Sequence, residues 1–263
     1  MMTHDTHPLN WLVQASEELW LDHMPLPWGE PTYPSIAAGK FGRWTVQHIP
    51  TPSVPLIRGY FRGLQLHTQP NTVLLDEHGD VWMALTPMET ESQLPHIASA
   101  RGHVVVVGAG LGFYLVNVLD KPEVTEVTLI EQDQDVLDVL HTSLDGTGYW
   151  LDNRKLSTIH MDVFDLPHWT EPVDYLYVDI WQILGSERAL TDTHRLVELF
   201  KPVGVGYWGM ELDFVHWAHA QGLKPPPTEE QWGRWIEWTG MPIRPKTGHA
   251  WWALKAVQNV NLY

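Results

Sequence analysis

Cysteine is absent from the 263 residues. That excludes disulfides, thiolate metal sites and a cysteine nucleophile. Basic residues are scarce: 16 Lys and Arg stand against 32 Asp and Glu, a formal net charge of −16. Phosphate-backbone binding draws on clustered Lys and Arg. The balance therefore argues against a nucleic-acid partner and would suit a cationic or amine ligand. No apolar run approaches the roughly 20 residues a membrane-spanning helix needs. Residues Met1 to Asn10 carry no basic patch or apolar stretch of the kind a signal peptide shows. A soluble, cytoplasmic protein without a membrane partner is the expectation. Also missing are a Gly-x-Ser-x-Gly elbow and a Gly-Lys-Ser/Thr phosphate loop. A hydrolase would lack its nucleophile and a nucleotidase its phosphate cradle.

What is present falls into two textures. Trp11–Leu21 reads as a helix, followed by a stretch holding Pro25, Pro27, Pro31 and Pro34. Short apolar or alternating runs then appear at Gly42–Ile49, Leu56–Leu66, Thr72–Leu75 and Val81–Leu85. Glu77-His78-Gly79 sits between the last two as a hairpin signal. Residues 36–86 thus predict a small, mostly antiparallel β-rich unit. Pro87–Ala100 predicts a helical linker.

From His103 onward strands and helices alternate. Strands are expected at Val104–Val107, Val124–Ile130, Leu156–Ile159, Tyr175–Val178 and Val203–Trp208. Helices are expected at Gly112–Leu119, after an Asp133 N-cap, and at Thr191–Phe200. This series predicts an α/β fold with a doubly wound, mostly parallel sheet. The division expected is an N-terminal β-rich unit with its leading helix and linker over 1–98, and a Rossmann-like domain over 99–263. Two further helices are read near Phe214–Ala220 and Glu229–Trp238, the second opened by a Thr228/Gln231 capping box. Ala250–Val257 is read as a final strand. Fifteen tryptophans are spread along the chain and read as core and pocket walls.

The chemistry concentrates at Val104-Val-Val-Val-Gly108-Ala109-Gly110-Leu111-Gly112. A strand runs into a glycine-rich turn that opens a helix. Glycine lets a ligand approach the backbone closely. Glu131 ends the next strand, about 20 residues further on, where an acid accepts from ribose hydroxyls. The dinucleotide fingerprint has glycines at its first, third and sixth positions. Here Phe113 holds the sixth, and no Lys or Arg is nearby for a pyrophosphate. Asp162 follows the third strand, where it would accept from an adenine amino group with Val163 against the ring. Asp179 ends the fourth, at the carboxyl edge where open α/β sheets bind ligands. Asp174 begins that strand and belongs to the opposite edge.

In this order of elements, residues 103–210 resemble the class I S-adenosylmethionine-dependent methyltransferase fold, and within it the spermidine synthase-like branch. The upstream Leu74-Leu-Asp76-Glu-His-Gly79-Asp-Val-Trp82 and Pro87-Met-Glu89 also resemble the N-terminal unit and linker of polyamine synthases. The resemblance implies S-adenosylmethionine, or its decarboxylated form, as cofactor. Gly108, Ala109, Gly110, Gly112, Glu131, Gln132, Asp162, Val163 and Asp179 would hold it. It implies Asp179 as the catalytic residue, orienting or deprotonating an acceptor, with Trp181, Glu89 and Glu211 on the substrate side. A homodimer is the assembly it implies.

The sequence also departs from that branch. Leu111 stands where polyamine synthases carry an Asp, and Asp179-Ile180-Trp181-Gln182 lacks a second Asp. Methyl transfer to a small molecule is therefore the simplest expectation, and aminopropyl transfer the alternative. A non-catalytic binding or assembly protein that kept the fold is a third reading. No metal site is expected: His216 and His219 with Asp213 read as a solvated helix face.

Overall fold

A computed structural model describes residues 26–50, 56–66, 71–145 and 153–260. The helix expected over Trp11–Leu21 lies outside them. The N-terminal sheet contains β1 (Gly39–Phe41), β2 (Trp44–Ile49), β5 (Asn71–Leu75) and β6 (Val81–Ala84), all antiparallel, in the order β1-β2-β5-β6. Strands β3 (Leu56–Arg58) and β4 (Leu64–Leu66) form a separate two-stranded pair. The β5–β6 hairpin turns where Gly79 adopts φ +86°, and Asp76 accepts from the backbone N–H groups of His78 and Asp80.

Helix α1 (Pro87–Ser99) leads into the second sheet. Its five strands are β7 (Gly102–Val107), β8 (Val124–Glu131), β9 (Leu156–His160), β10 (Tyr175–Val178) and β11 (Gly204–Tyr207). All pairs are parallel, in the order β11-β10-β7-β8-β9. The first strand of the series is thus central, and the chain reverses its direction of winding beside it.

The run Val104–Val107 is buried on both faces, because side chains alternate across a strand and helices cover both sides. Val104 and Val106 pack with α1, α2 (Phe113–Leu119) and α3 (Gln134–Asp145). Val105 and Val107 pack with α4 (Ala189–Phe200), α5 (Met210–Ala220), α6 (Glu229–Thr239) and α7 (Ala250–Val260). Asp133 caps α3 through the Asp135 N–H, and Thr228 with Gln231 forms the expected capping box on α6. Trp232 and Trp235 are fully buried.

The final segment differs from its expected strand. Ala250, Ala253, Leu254 and Val257 are buried at helical spacing, and α7 packs on α5. The apolar run has the period of a helix face, not of a strand. Among the described residues no helix is long and apolar enough to cross a membrane.

Candidate active site

The glycine turn begins where β7 ends, at the carboxyl edge of the parallel sheet. Register sets Val107 between Ile130 of β8 and Val178 of β10. The turn therefore emerges between Glu131 and Asp179, at the point where the strand order reverses. Gly108 has φ +93°, and a Cβ there would come within 2.0 Å of the Asp179 carbonyl oxygen. Only glycine combines that backbone with that approach. Gly108→Ala is expected to lower stability by about 2 kcal/mol or more, read from denaturant unfolding.

A cavity of about 310 Å³ opens over this edge. Gly108, Ala109, Gly110, Glu131, Gln132, Asp162, Val163, Asp179, Trp181 and Glu89 all line it. Gly112 stands behind it, as the N-cap of α2 packed against Leu140. Glu131 is buried, and its two oxygens accept from the Ala109 and Asp133 N–H groups, each at 2.8 Å. Burial raises its pKa; these hydrogen bonds work against that rise. Asp162 accepts from the Phe164 N–H at 2.9 Å and so caps a short 3-10 turn at the cavity wall.

The opposite side carries a pair of carboxyls. Asp179 is pushed up to about 7 by burial, with the Tyr177 hydroxyl, 3.3 Å away, pulling downward. Glu89, from α1, is raised well above the usual range by burial and by the charge of Asp179. Gln93 donates to Glu89 at 2.6 Å. A pair so placed holds a proton near neutral pH, which is what general acid–base work requires. Trp181 is held as a wall by its Nε1–H bond to Asp192, which also pairs with Arg188.

Glu211 corrects an expectation. It does not line the cavity. It is fully buried, accepting from Tyr60 at 3.0 Å and bonded to His249 at 2.5 Å. The first turn of α5 carries it inward, under the sheet edge, where burial demands partners for a carboxylate.

The N-terminal sheet supplies residues that sequence spacing did not reveal. Trp44, Trp82 and Met83 line the cavity beside Arg43. Arg43 and Trp44 both donate to Asp133 Oδ2, which fastens this sheet over the Glu131 side. Only the hydrophobic pattern of β2 and β6 hinted at their inward faces.

No protein family matches the chain by sequence, and neither does any curated protein. Solved structures do match in part. A precorrin 8w decarboxylase from Methanobacterium thermoautotrophicum is 17% identical, with 44% of this chain and 56% of that one covered and a TM-score of 0.33. A protein from Pyrococcus horikoshii described as a candidate RNA methyltransferase is 24% identical, covering 47% and 60%, with a TM-score of 0.34. A 23S rRNA methyltransferase is 19% identical, covering 43% and 42%, with a TM-score of 0.32. The chain thus spans between 42% and 60% of the length of these three.

The fold is α/β and Rossmann-like, a doubly wound parallel sheet with the glycine turn at the point where its strand order reverses. Two of these partly similar structures are described as RNA methyltransferases, one of them as a candidate, so the expectation that nucleic acid is excluded as a partner is withdrawn. The physical reason is that charge at the site, not over the whole chain, decides what can approach. The net charge of −16 over the chain therefore excludes no partner class at the cavity, where Arg43 and Arg188 stand among six carboxylates.

Proposed function

We propose that the chain is an S-adenosylmethionine-dependent methyltransferase acting on a small molecule. The observation that carries this reading is one cavity holding both a glycine turn flanked by Glu131 and the Glu89–Asp179 pair. The residues fit a nucleoside cofactor. Gly108 and Gly110 hold the turn at positive φ, a backbone that lets other groups approach it closely. Glu131 keeps acceptor capacity, since an ionised carboxylate offers about four lone-pair sites and two are used within the chain. The volume of about 310 Å³ is at the lower end of ligand pockets, roughly 300–1,000 Å³, which suits a small acceptor.

Each residue then has a task. Glu131 binds the ribose hydroxyls, and Asp162 with Val163 receives the adenine. When bound, the cofactor supplies an electrophilic methyl group on a sulfonium. Asp179 accepts the proton that an acceptor oxygen or nitrogen loses, and Glu89 shares its charge. Trp181 and Trp208 wall the acceptor in and keep water out. Aminopropyl transfer is the second reading. It is favoured by the antiparallel N-terminal sheet and linker helix that bring Met83 and Glu89 to the cavity.

The test is calorimetry with S-adenosylhomocysteine, followed by turnover on an acceptor library. Absence of binding by the native chain rules the reading out. A pH dependence follows from Asp179. As a base it works only when ionised, so turnover is expected to rise as pH passes about 7. Stability runs the other way. An acid with a raised folded pKa stabilises fully below its unfolded value of 3.8 and loses that contribution as pH climbs through about 7. Asp179→Asn should therefore abolish turnover. Its melting temperature should gain on the native chain between pH 3.8 and about 7, and a constant gap over that range would contradict this assignment.

A further inference from the structure

One contact in the cavity belongs to neither the cofactor side nor the carboxyl pair. Met83, on edge strand β6, reaches across to the glycine turn. Its Sδ accepts from the Leu111 N–H at 3.1 Å. Gly110 makes that approach feasible: it has φ +49°, and a Cβ there would come 2.6 Å from the same sulfur. The turn N–H is thus already capped, by a side chain from the other sheet.

A thioether is a weak acceptor. Methionine is also unbranched and adaptable, so it can leave as readily as it enters. Its position is half-buried on an edge strand, next to a register irregularity in β5 between Leu74 and Leu75. A weak acceptor on a movable stem, parked on a backbone donor inside a ligand cavity, behaves as a displaceable stopper.

We propose that Met83 is a plug on the glycine turn, selecting among nucleosides by what their 5′ substituent carries. The inference rests on the nucleoside-binding reading above. A nucleoside held by Glu131 with no amino-acid chain leaves Met83 on Leu111. One with a polar amino-acid end must displace the sulfur to use the same N–H. Met83 is a specificity residue here, not a catalytic one.

Calorimetry with adenosine and with S-adenosylhomocysteine tests this on the native chain, Met83→Ala and Met83→Leu. Met83→Ala is expected to tighten S-adenosylhomocysteine about five- to tenfold, the worth of one competing hydrogen bond, and to leave adenosine within about twofold. Met83→Leu keeps the bulk but offers no acceptor, so the gain should be about twofold to threefold. In the native chain, the Met83 methyl resonance should shift with S-adenosylhomocysteine and stay in place with adenosine. This readout needs no variant to fold. Equal changes for both ligands, or weaker S-adenosylhomocysteine binding in Met83→Ala, would make Met83 a plain wall and overturn the plug alone. Failure of both nucleosides to bind the native chain would instead bring down the methyltransferase reading, and this inference with it.

Discussion

Glu131→Ala is expected to weaken S-adenosylhomocysteine binding by at least about a hundredfold. The side chain stands at the end of β8 with one oxygen on the Ala109 N–H and the other on the Asp133 N–H. These bonds fix the carboxylate at the cavity wall. Two ligand hydroxyls on a carboxylate are worth about 1.5–3 kcal/mol each, and every 1.4 kcal/mol is roughly tenfold in affinity. The alanine also removes the acceptor of the Ala109 N–H, so the turn loses a support. Glu131→Gln separates these effects. It keeps the length and one acceptor oxygen but not the charge, so its loss should be intermediate. Melting curves for each variant show whether the turn itself has failed. Affinity within about threefold of native for the folded Glu131→Ala would end the assignment of Glu131 to the ligand.

The largest loss of stability is expected outside the cavity lining, at Glu211. Its carboxylate is bonded to His249 at the start of α7 and to Tyr60 in the segment after β3. Three pieces of chain, distant in sequence, meet on one charged group with no exposure to water. Burial alone would raise the Glu211 pKa; the hydrogen bond and charge of His249 more than offset it, and the net shift is downward. Removing one member of a buried pair leaves the other without compensation and costs about 3–5 kcal/mol. Glu211→Ala should lose that much in urea unfolding. The pH dependence has a definite sign. A depressed folded pKa contributes stability that is present above the ordinary value of 4.5 and is lost as pH falls below it. Acid unfolding of the native chain should thus contain a contribution that Glu211→Gln lacks. A variant as stable as native throughout would show that the network is dispensable.

The fold was legible wherever the information is local. The glycine turn, Glu131, Asp162 and Asp179 each sit at the end of a strand, so the strand–turn–helix grammar places them at one edge without further knowledge. The five parallel strands and the capping residues Asp133 and Thr228 are readable for the same reason. The final helix was not. Ala250–Val257 includes two tryptophans and a valine, which favour a strand, and only packing against α5 selects the helical face.

Distance along the chain marks where legibility stops. Glu211 follows β11 as Asp179 follows β10, and sequence alone gives both the same edge. One turn of helix carries Glu211 inward, and His249 and Tyr60 supply the partners that make its burial tolerable. Met83 stands 28 residues from Leu111, with no periodicity to connect them. The sequence by itself determined the parallel sheet and its row of strand-end acids, because hydrophobic period and turn chemistry act over a few residues. Tertiary structure decided which acids share the cavity, which are locked away from it, and that a thioether from the N-terminal sheet rests on the glycine turn, because such contacts depend on how two sheets pack.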